Sequence, residues 1–176
     1  MSSQALIDIE LFPKQAIALN TKATEVLYGG AAGGGKSHLM RIAAINWCAE
    51  IPDLQIYLFR RVRDDLIKTH LDSMNGFRNL LAAWVDAGLV KIKEDGVFFW
   101  NGSRIYLCHC QHEKDVGKYL SSEIHVLLID ELTTFTERMY RQLRARVRMV
   151  GVTIPEKYKG QFPRILCGSN PANIGH

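Results

Sequence analysis

The residues best suited to chemistry form a glycine-rich run from Gly29 to Ser37, with the sequence Gly-Gly-Ala-Ala-Gly-Gly-Gly-Lys-Ser. Gly30, Gly35, Lys36 and Ser37 match the pattern G-x-x-x-x-G-K-[ST]. Glycines reach backbone angles that other residues avoid, so successive N–H groups can turn inward around phosphate oxygens. Lys36 adds a charge at the β and γ phosphates, and the Ser37 hydroxyl is a candidate Mg²⁺ ligand. The predicted nucleotide contacts of this phosphate-binding loop (P-loop) are Gly30, Ala31, Ala32, Gly33, Gly34, Gly35, Lys36, Ser37 and His38.

The segments on either side of the P-loop are those that the motif requires. Residues 24–29 are β-prone and predict a strand. The apolar residues after the loop recur at helical spacing, which predicts a helix from Lys36 to about Glu50. A glycine-rich turn with a coincidental Lys-Ser pair is the alternative. The strand before and the helix after favour the P-loop.

A pair of carboxylates, Asp130 and Glu131, directly follows the apolar run Val126–Ile129. A continuous apolar run is typical of a strand buried on both faces, and such a strand delivers the residues that follow it to the edge of a sheet. We predict that Asp130 shares Mg²⁺ with Ser37, and that Glu131 orients and deprotonates an attacking water. The alternative is an acidic pair that only begins the next turn.

The remaining segments predict an α/β domain. Residues 54–59 predict a strand, and residues 60–63 contain three arginines, for which DNA phosphate, a neighbouring subunit and solvent all remain possible contacts. Residues 64–88 predict helix with a break at Gly76 and a stop at Gly88. Turns at Asp95-Gly96 and Asn101-Gly102 predict a small antiparallel insertion at residues 90–110. An arginine-rich helix is predicted from Glu137 to about Met149, with Arg141, Arg144 and Arg148 on one flank, and a last core strand at residues 164–168.

Composition indicates one globular domain spanning residues 1–176. Of the 176 residues 47% are hydrophobic and 23% charged, and the net charge is +4, which by itself does not argue for nucleic acid. No run predicts a membrane span, and no signal peptide is evident, so we expect a cytoplasmic protein without a membrane partner. The four cysteines suggest reduced thiols, and the spacing in Cys108-His109-Cys110-Gln111-His112 matches no zinc pattern.

A whole β-α unit separates the P-loop helix from the acidic strand, and a glutamate follows the predicted Mg²⁺ aspartate. This arrangement resembles the additional-strand, catalytic-glutamate class of P-loop ATPases, whose central sheet is mainly parallel and flanked by helices. More specifically, five segments in this order resemble the N-terminal ATPase domain of the tailed-phage terminase large subunit over residues 12–173. These segments are Phe12-Pro13-Lys14-Gln15, residues 29–37, Leu58-Phe59-Arg60-Arg61, Val126 to Glu131 and Gly168-Ser169-Asn170-Pro171.

The resemblance implies a Mg²⁺-dependent ATPase motor that drives double-stranded DNA into a procapsid in the host cytoplasm. Its partners would be the portal protein, the small terminase subunit and further copies of the chain in a ring. Gln15 would bind adenine, since its amide can pair with the N6 and N7 edge, with a surface glutamine as the alternative. Ser169 and Asn170 would sense the γ-phosphate, with a strand-ending turn as the alternative.

The chain departs from the terminase pattern in two respects. Terminases usually supply an arginine finger from just before the acidic strand, where this chain has Lys118. A lysine replaces a bidentate guanidinium poorly, so the candidate fingers become Arg144, Arg146 and Arg148. The nuclease carboxylates of a full large subunit should lie beyond His176, so no nuclease activity is expected from these residues.

Two other functions remain open from the sequence. A RecA-like domain of a DNA helicase or translocase would use the same hydrolytic residues for strand separation or sliding. A nucleotide-binding scaffold would bind ATP without turning it over, and it would not need Glu131 beside Asp130.

Overall fold

The computed structural model describes residues 11–30 and 35–170. Its strands in these ranges are β1 Glu25–Gly29, β2 Gln55–Arg60, β3 Val90–Lys93, β4 Gly96–Phe99, β5 Arg104–His109, β6 Val126–Ile129 and β7 Arg164–Ser169. Its α-helices are α1 Pro13–Asn20, α2 Lys36–Glu50, α3 Arg63–Leu66, α4 Phe77–Leu80, α5 Ala82–Asp86 and α6 Glu137–Arg144. A π-helix spans Ile67–Leu71, and 3-10 helices span Glu113–Tyr119, Leu132–Thr134 and Glu156–Tyr158.

The described strands form one sheet in the order β1-β7-β6-β2-β5-β4-β3. The pairs β1-β7, β7-β6, β6-β2 and β2-β5 are parallel, whereas β5-β4 and β4-β3 are antiparallel. The predicted mainly parallel sheet with an antiparallel insertion is therefore confirmed. Parallel strands place their carboxyl ends at one edge, so Gly30, Arg60, Asp130 and Ser169 meet there.

β6 is the centre of the core. All four of its residues are fully buried, because β7 and β2 flank it and helices cover both of its faces. Val126 and Leu128 pack in one cluster with Trp47 of α2, and Leu127 and Ile129 pack in the other with Leu143 of α6. This two-sided burial explains why the segment is apolar without alternation. The four cysteines are buried free thiols, and no helix in the described part of the chain could cross a membrane.

Two predicted helices differ from the structure. Residues 64–88 form α3, the π-helix, α4 and α5 instead of one or two long helices. A break does occur at Gly76, where a Cβ atom would lie 2.3 Å from the Leu71 carbonyl oxygen. The prediction that the arginine-rich helix reaches Met149 is wrong, because α6 ends at Arg144 and Val147 instead forms a parallel bridge with Ile124. Arg148 is therefore not on a helical flank with Arg141 and Arg144.

Arg164, the first residue of β7, connects the core to α1. Its side chain is fully buried, and its guanidinium donates to the carbonyl oxygens of Ala18, Leu19 and Thr21 at 2.9 to 3.3 Å. The last carbonyls of a helix have no partner within the helix, so a cation there satisfies them and complements the helix dipole. The guanidinium also lies 5.4 Å from the Trp47 ring of α2. Arg164 thus fixes α1 against the P-loop helix.

We expect Arg164→Met to lower the free energy of unfolding by roughly 2–4 kcal/mol, because it removes charged hydrogen bonds and leaves buried carbonyls without a donor. Urea unfolding followed by circular dichroism measures the loss. Arg104→Met, at the exposed first residue of β5, is the matched control and should stay within about 0.5 kcal/mol of wild type. Equal losses in the two variants would contradict this role for Arg164.

Candidate active site

The P-loop occupies the junction between β1 and α2. Gly35 is the N-cap of α2 and has a left-handed backbone with φ of 71°. The Nζ of Lys36 donates to the carbonyl oxygen of Gly30 at 2.9 Å, which joins the two ends of the loop. Ala31, Ala32, Gly33 and Gly34 lie outside the described residues, as do the residues from Pro171 onward. The described ends place the start of a helix, with its partial positive charge, beside the loop.

Asp130 is the buried acceptor of the site. The residue is 2% exposed, and its Oδ2 accepts hydrogen bonds from the Ser37 hydroxyl and from His70 Nε2, each at 2.8 Å. Burial raises the pKa of Asp130, but the hydrogen bonds from His70 and Ser37 and the charge of Arg60 outweigh it, so the pKa lies below its ordinary value. Ser37 and Asp130, predicted as a pair from the sequence, are therefore in direct contact. A hydroxyl and a carboxylate are oxygen donors of the kind that Mg²⁺ prefers.

Glu131 directly follows Asp130 and has an unusual backbone. Its φ of 57° and ψ of 57° are left-handed, which is rare for a residue other than glycine and costs about 1–3 kcal/mol. Glu131 Oε1 lies 2.7 Å from a terminal nitrogen of Arg60, the last residue of β2. Arg60 Nε also lies 3.9 Å from Asp130 Oδ2. Of the arginines predicted at residues 60–63, Arg60 thus belongs to the site.

Arg61, in contrast, donates to the carbonyl oxygens of Gln111 and Thr134 and supports the loop after β6. Arg63 forms an exposed ion pair with Glu94.

Two buried residues of the site were not predicted from the sequence. His70, in the π-helix, is fully buried and bonds Asp130, while Arg41 of α2 is 4% exposed and lies 3.2 Å from the other ring nitrogen of His70. Burial lowers the pKa of Arg41 to about 10, against the opposing charge of Asp130, so it remains a cation at neutral pH. In the sequence, His70 falls on the predicted apolar face of a helix, so the pattern predicts a packing residue and gives no sign of its hydrogen bond to Asp130.

Gln15 lies beside Gly35, the N-cap residue of α2. It is 1% exposed, its Oε1 accepts from the Phe12 N–H at 2.9 Å, and its Nε2 donates to the Gly35 carbonyl at 3.0 Å. The surface alternative for Gln15 is therefore wrong. The amide holds the end of the P-loop, and its contact with adenine stays a prediction.

Ser169 and Asn170 lie beside the P-loop at the end of β7. The Ser169 carbonyl accepts from the Gly30 N–H at 3.3 Å, and the Oδ1 of Asn170 is buried with no hydrogen-bond partner among the described residues. His38 Nδ1 is likewise buried without a partner among them. Next to Ser169 and Asn170 is a cavity of about 530 Å³ that Leu27 and Tyr140 also line. A second cavity of about 740 Å³ adjoins Arg60 and Glu131.

The candidate arginine fingers lie away from this site. Arg144 pairs with Glu25, the first residue of β1, at 3.0 Å. Arg146 donates to the Leu120 carbonyl at 3.0 Å, and Arg148 lies 3.9 Å from Glu123.

These contacts are all at the amino ends of β1 and β6, whereas the P-loop is at the carboxyl end of β1. A five-residue strand such as β1 spans roughly 16 Å. Arg144, Arg146 and Arg148 therefore do not come together with the P-loop of their own chain. Lys118 is exposed in a 3-10 helix.

Several solved structures that match this fold are phage DNA-packaging proteins. The large terminase of a thermophilic bacteriophage matches with a TM-score of 0.63 and 16% identity, over 90% of this chain and 39% of that protein. The N-terminal domain of the DNA packaging ATPase from bacteriophage phi29 gives a TM-score of 0.60 and 14% identity, over 93% and 80%. This chain has the fold of a large-terminase ATPase domain.

A mutant of the ATPase domain of the Thermus phage P74-26 large terminase gives a TM-score of 0.56 and 12% identity, over 97% of this chain and 69% of that one. No protein-family model matches the sequence, and no curated protein matches it. The chain spans about two fifths of the first of these large terminases, at 39% of its length. The likeness to terminase ATPase domains is therefore one of fold, because the sequence identities are only 12% to 16%.

The close approach of Gly35 and Gln15 yields a prediction. A Cβ atom at Gly35 would lie 2.4 Å from Gln15 Nε2, and the left-handed backbone would add strain. We expect Gly35→Ala to destabilise the fold by about 1–3 kcal/mol and to weaken binding of an ATP analogue by at least about tenfold. Calorimetry of binding and thermal unfolding measure both effects. Gly117→Ala, where a Cβ atom meets nothing within 4 Å, is the control, and tight binding by Gly35→Ala would refute the prediction.

Proposed function

We propose that this chain is the ATPase motor domain of a phage terminase large subunit, which hydrolyses ATP to translocate double-stranded DNA into a procapsid. One observation carries the proposal: Ser37 Oγ, from the P-loop helix, lies 2.8 Å from Asp130 at the end of β6, with Glu131 as the next residue. This is the pairing that P-loop hydrolysis needs, because the two oxygen donors lie where a phosphate-bound cation would sit. The shared fold with a phage large terminase and a phage DNA packaging ATPase supports DNA packaging as the process that this hydrolysis drives.

In this proposal the phosphates of ATP bind at the P-loop from Gly30 to Ser37. Backbone N–H groups donate to the phosphate oxygens, and Lys36 moves its Nζ from the Gly30 carbonyl to the β and γ phosphates. Ser37 and Asp130 would hold Mg²⁺, which neutralises phosphate charge when bound. Gln15 would contact adenine in addition to its hydrogen bond to the Gly35 carbonyl. Complexes of the thermophilic bacteriophage's large terminase with ATP-γ-S and with ADP support nucleotide binding by this fold.

Glu131 is the proposed general base for the attacking water. Arg60 contacts Oε1 of Glu131 at 2.7 Å, which fixes the carboxylate beside the sheet. We assign Oε2 to accept the proton of water as its oxygen attacks the γ-phosphorus and the bond to ADP breaks. Ser169 and Asn170 lie beside Gly30 and would sense the loss of the γ-phosphate. A phosphate oxygen accepts hydrogen bonds, so the Ser169 hydroxyl and the Asn170 amide nitrogen are the donors that this role would use.

The proposed motor is a homo-oligomeric ring that acts at the portal, with double-stranded DNA, the portal protein and the small terminase subunit as partners. A solved structure of the phi29 viral genome packaging motor assembly contains this fold, with a TM-score of 0.52 and 17% identity. The work would take place at the procapsid in the host cytoplasm. A finger drawn from Arg144, Arg146 or Arg148 would have to act on the P-loop of the neighbouring subunit, because these residues lie at the other end of their own sheet.

Replacing the proposed base tests hydrolysis directly. We expect Glu131→Gln to retain binding of ATP with Mg²⁺ and to lose turnover by about 10²-fold or more, because glutamine keeps the shape but accepts no proton. Phosphate release and calorimetry measure the two properties. Glu156→Gln, at an exposed glutamate far from β6 in sequence, should leave both unchanged. Equal turnover by Glu131→Gln and wild type would reject Glu131 as the base, and failure of wild type to bind ATP would reject the proposed function.

The finger can be tested by mixing subunits in the assembled motor. Alanine at the true finger should reduce ATP turnover by about 10³- to 10⁵-fold. If the finger acts on a neighbour, mixing Lys36→Ala subunits with the finger variant should restore turnover at interfaces that combine an intact P-loop with an intact arginine. Wild-type turnover in rings of all three variants, Arg144→Ala, Arg146→Ala and Arg148→Ala, would exclude these residues as fingers.

A further inference from the structure

His70 uses both of its ring nitrogens in the buried centre of the site. Its Nε2 lies 2.8 Å from Asp130 Oδ2, and its Nδ1 lies 3.2 Å from a terminal nitrogen of Arg41. The same Arg41 nitrogen donates to the carbonyl oxygen of Thr69 at 3.1 Å. His70 is fully buried and Asp130 is 2% exposed, so water does not compete for these contacts.

The partners of His70 determine its tautomer. A guanidinium has only donors, so Nδ1 must accept from Arg41 and cannot carry a proton. The proton of the neutral ring therefore lies on Nε2, which donates to Asp130. Asp130 accordingly receives a directed N–H bond at Oδ2.

The π-helix brings this donor to the site. Isolated π-helical turns occur often at functional sites. In the turn Ile67–Leu71, Leu71 is buried in the core, while His70 and Thr69 face the active-site charges. Arg60, the partner of Glu131, donates to the Thr69 hydroxyl. The π-helix thus acts on both carboxylates. His70 contacts Asp130 directly, and Thr69 contacts Arg60, which pairs with Glu131.

We propose that His70 is a positioning residue that holds the Asp130 carboxylate in the orientation needed to bind Mg²⁺. The inference rests on the proposed function. Ser37 and His70 both donate to Asp130 Oδ2. A hydroxyl binds a metal ion through an oxygen lone pair and keeps its O–H, so Ser37 would serve the ion and the carboxylate together. His70 is the donor of this pair that does not bind the ion, and its bond keeps the carboxylate from rotating. Substitution of a residue that orients a metal-binding side chain in this way typically weakens metal binding by about 10- to 100-fold.

A purely structural histidine would fill the same volume, so the test must separate the hydrogen bond from packing. His70→Phe keeps a ring of similar size without a donor, whereas His70→Gln returns an N–H near the position of Nε2. His125→Phe is the matched control, because His125 is also buried and accepts from the Gln55 N–H at 2.9 Å, before the amino end of β6. Thermal unfolding of each variant monitors the cost of packing.

The probe is Mn²⁺ in place of Mg²⁺, titrated by electron paramagnetic resonance with a non-hydrolysable ATP analogue present. We expect His70→Phe to weaken Mn²⁺ binding by about 10- to 100-fold while the metal-free affinity for the analogue stays within about twofold. His70→Gln should recover most of the loss, and His125→Phe should match wild type. Equal Mn²⁺ affinity of His70→Phe and wild type, or equal losses in His70→Phe and His125→Phe, would overturn the inference.

A measurement on the unmodified protein covers the case in which His70→Phe does not fold. Nitrogen-15 NMR of the histidine rings distinguishes the tautomers, and the inference requires an unprotonated Nδ1 and a protonated Nε2 in His70. A proton on Nδ1 would overturn it. If wild type binds neither the analogue nor Mn²⁺, the proposed function itself fails. Normal binding by wild type with no effect of His70 refutes the positioning role alone.

Discussion

The buried carboxylate of Asp130 is the interaction on which the rest of the site depends. Removing a charge from water is costly, and a carboxylate that is 2% exposed persists only where donors compensate it. Ser37, His70 and Arg60 provide this compensation, and they come from the P-loop helix, the π-helix and β2. Asp130 therefore joins the three segments around it. The same carboxylate that stabilises the arrangement is the one that the proposed chemistry requires.

This convergence follows from the parallel order of the central strands. β6 is flanked by β2 and β7, so Arg60 and Ser169 end beside Asp130 at one edge of the sheet. An antiparallel neighbour would have brought an amino end to that edge. The residue that follows β6 fixes its register, because a slip by one position would draw the Asp130 carboxylate into the apolar core and away from its donors. The core thus positions the carboxylates before any ligand is bound.

The sequence predicted the parts of the site whose signals are local. The P-loop and the pair Asp130-Glu131 each lie in one short segment with a characteristic pattern. His70 and Arg41 were missed, because their roles depend on contacts between residues far apart in the sequence, such as His70 and Asp130. The helix from Glu137 was extended too far for a similar reason: Val147, a β-branched residue, bridges Ile124, and that tertiary contact outweighs the helical preference of the arginines around it.

The charges near the P-loop limit where the proposed arginine finger would come from. Arg60 is engaged by Glu131 and the Thr69 hydroxyl, and Arg41 lies behind His70, so both serve the carboxylates. A guanidinium that left either position would leave a buried or strained acidic group without its partner, which is costly. Lys36 is the P-loop cation, and it is a point charge with no bidentate geometry. In the proposed mechanism, the charge that develops on the γ-phosphate therefore favours an arginine from outside this set, which agrees with the proposal that the neighbouring subunit of a ring supplies it.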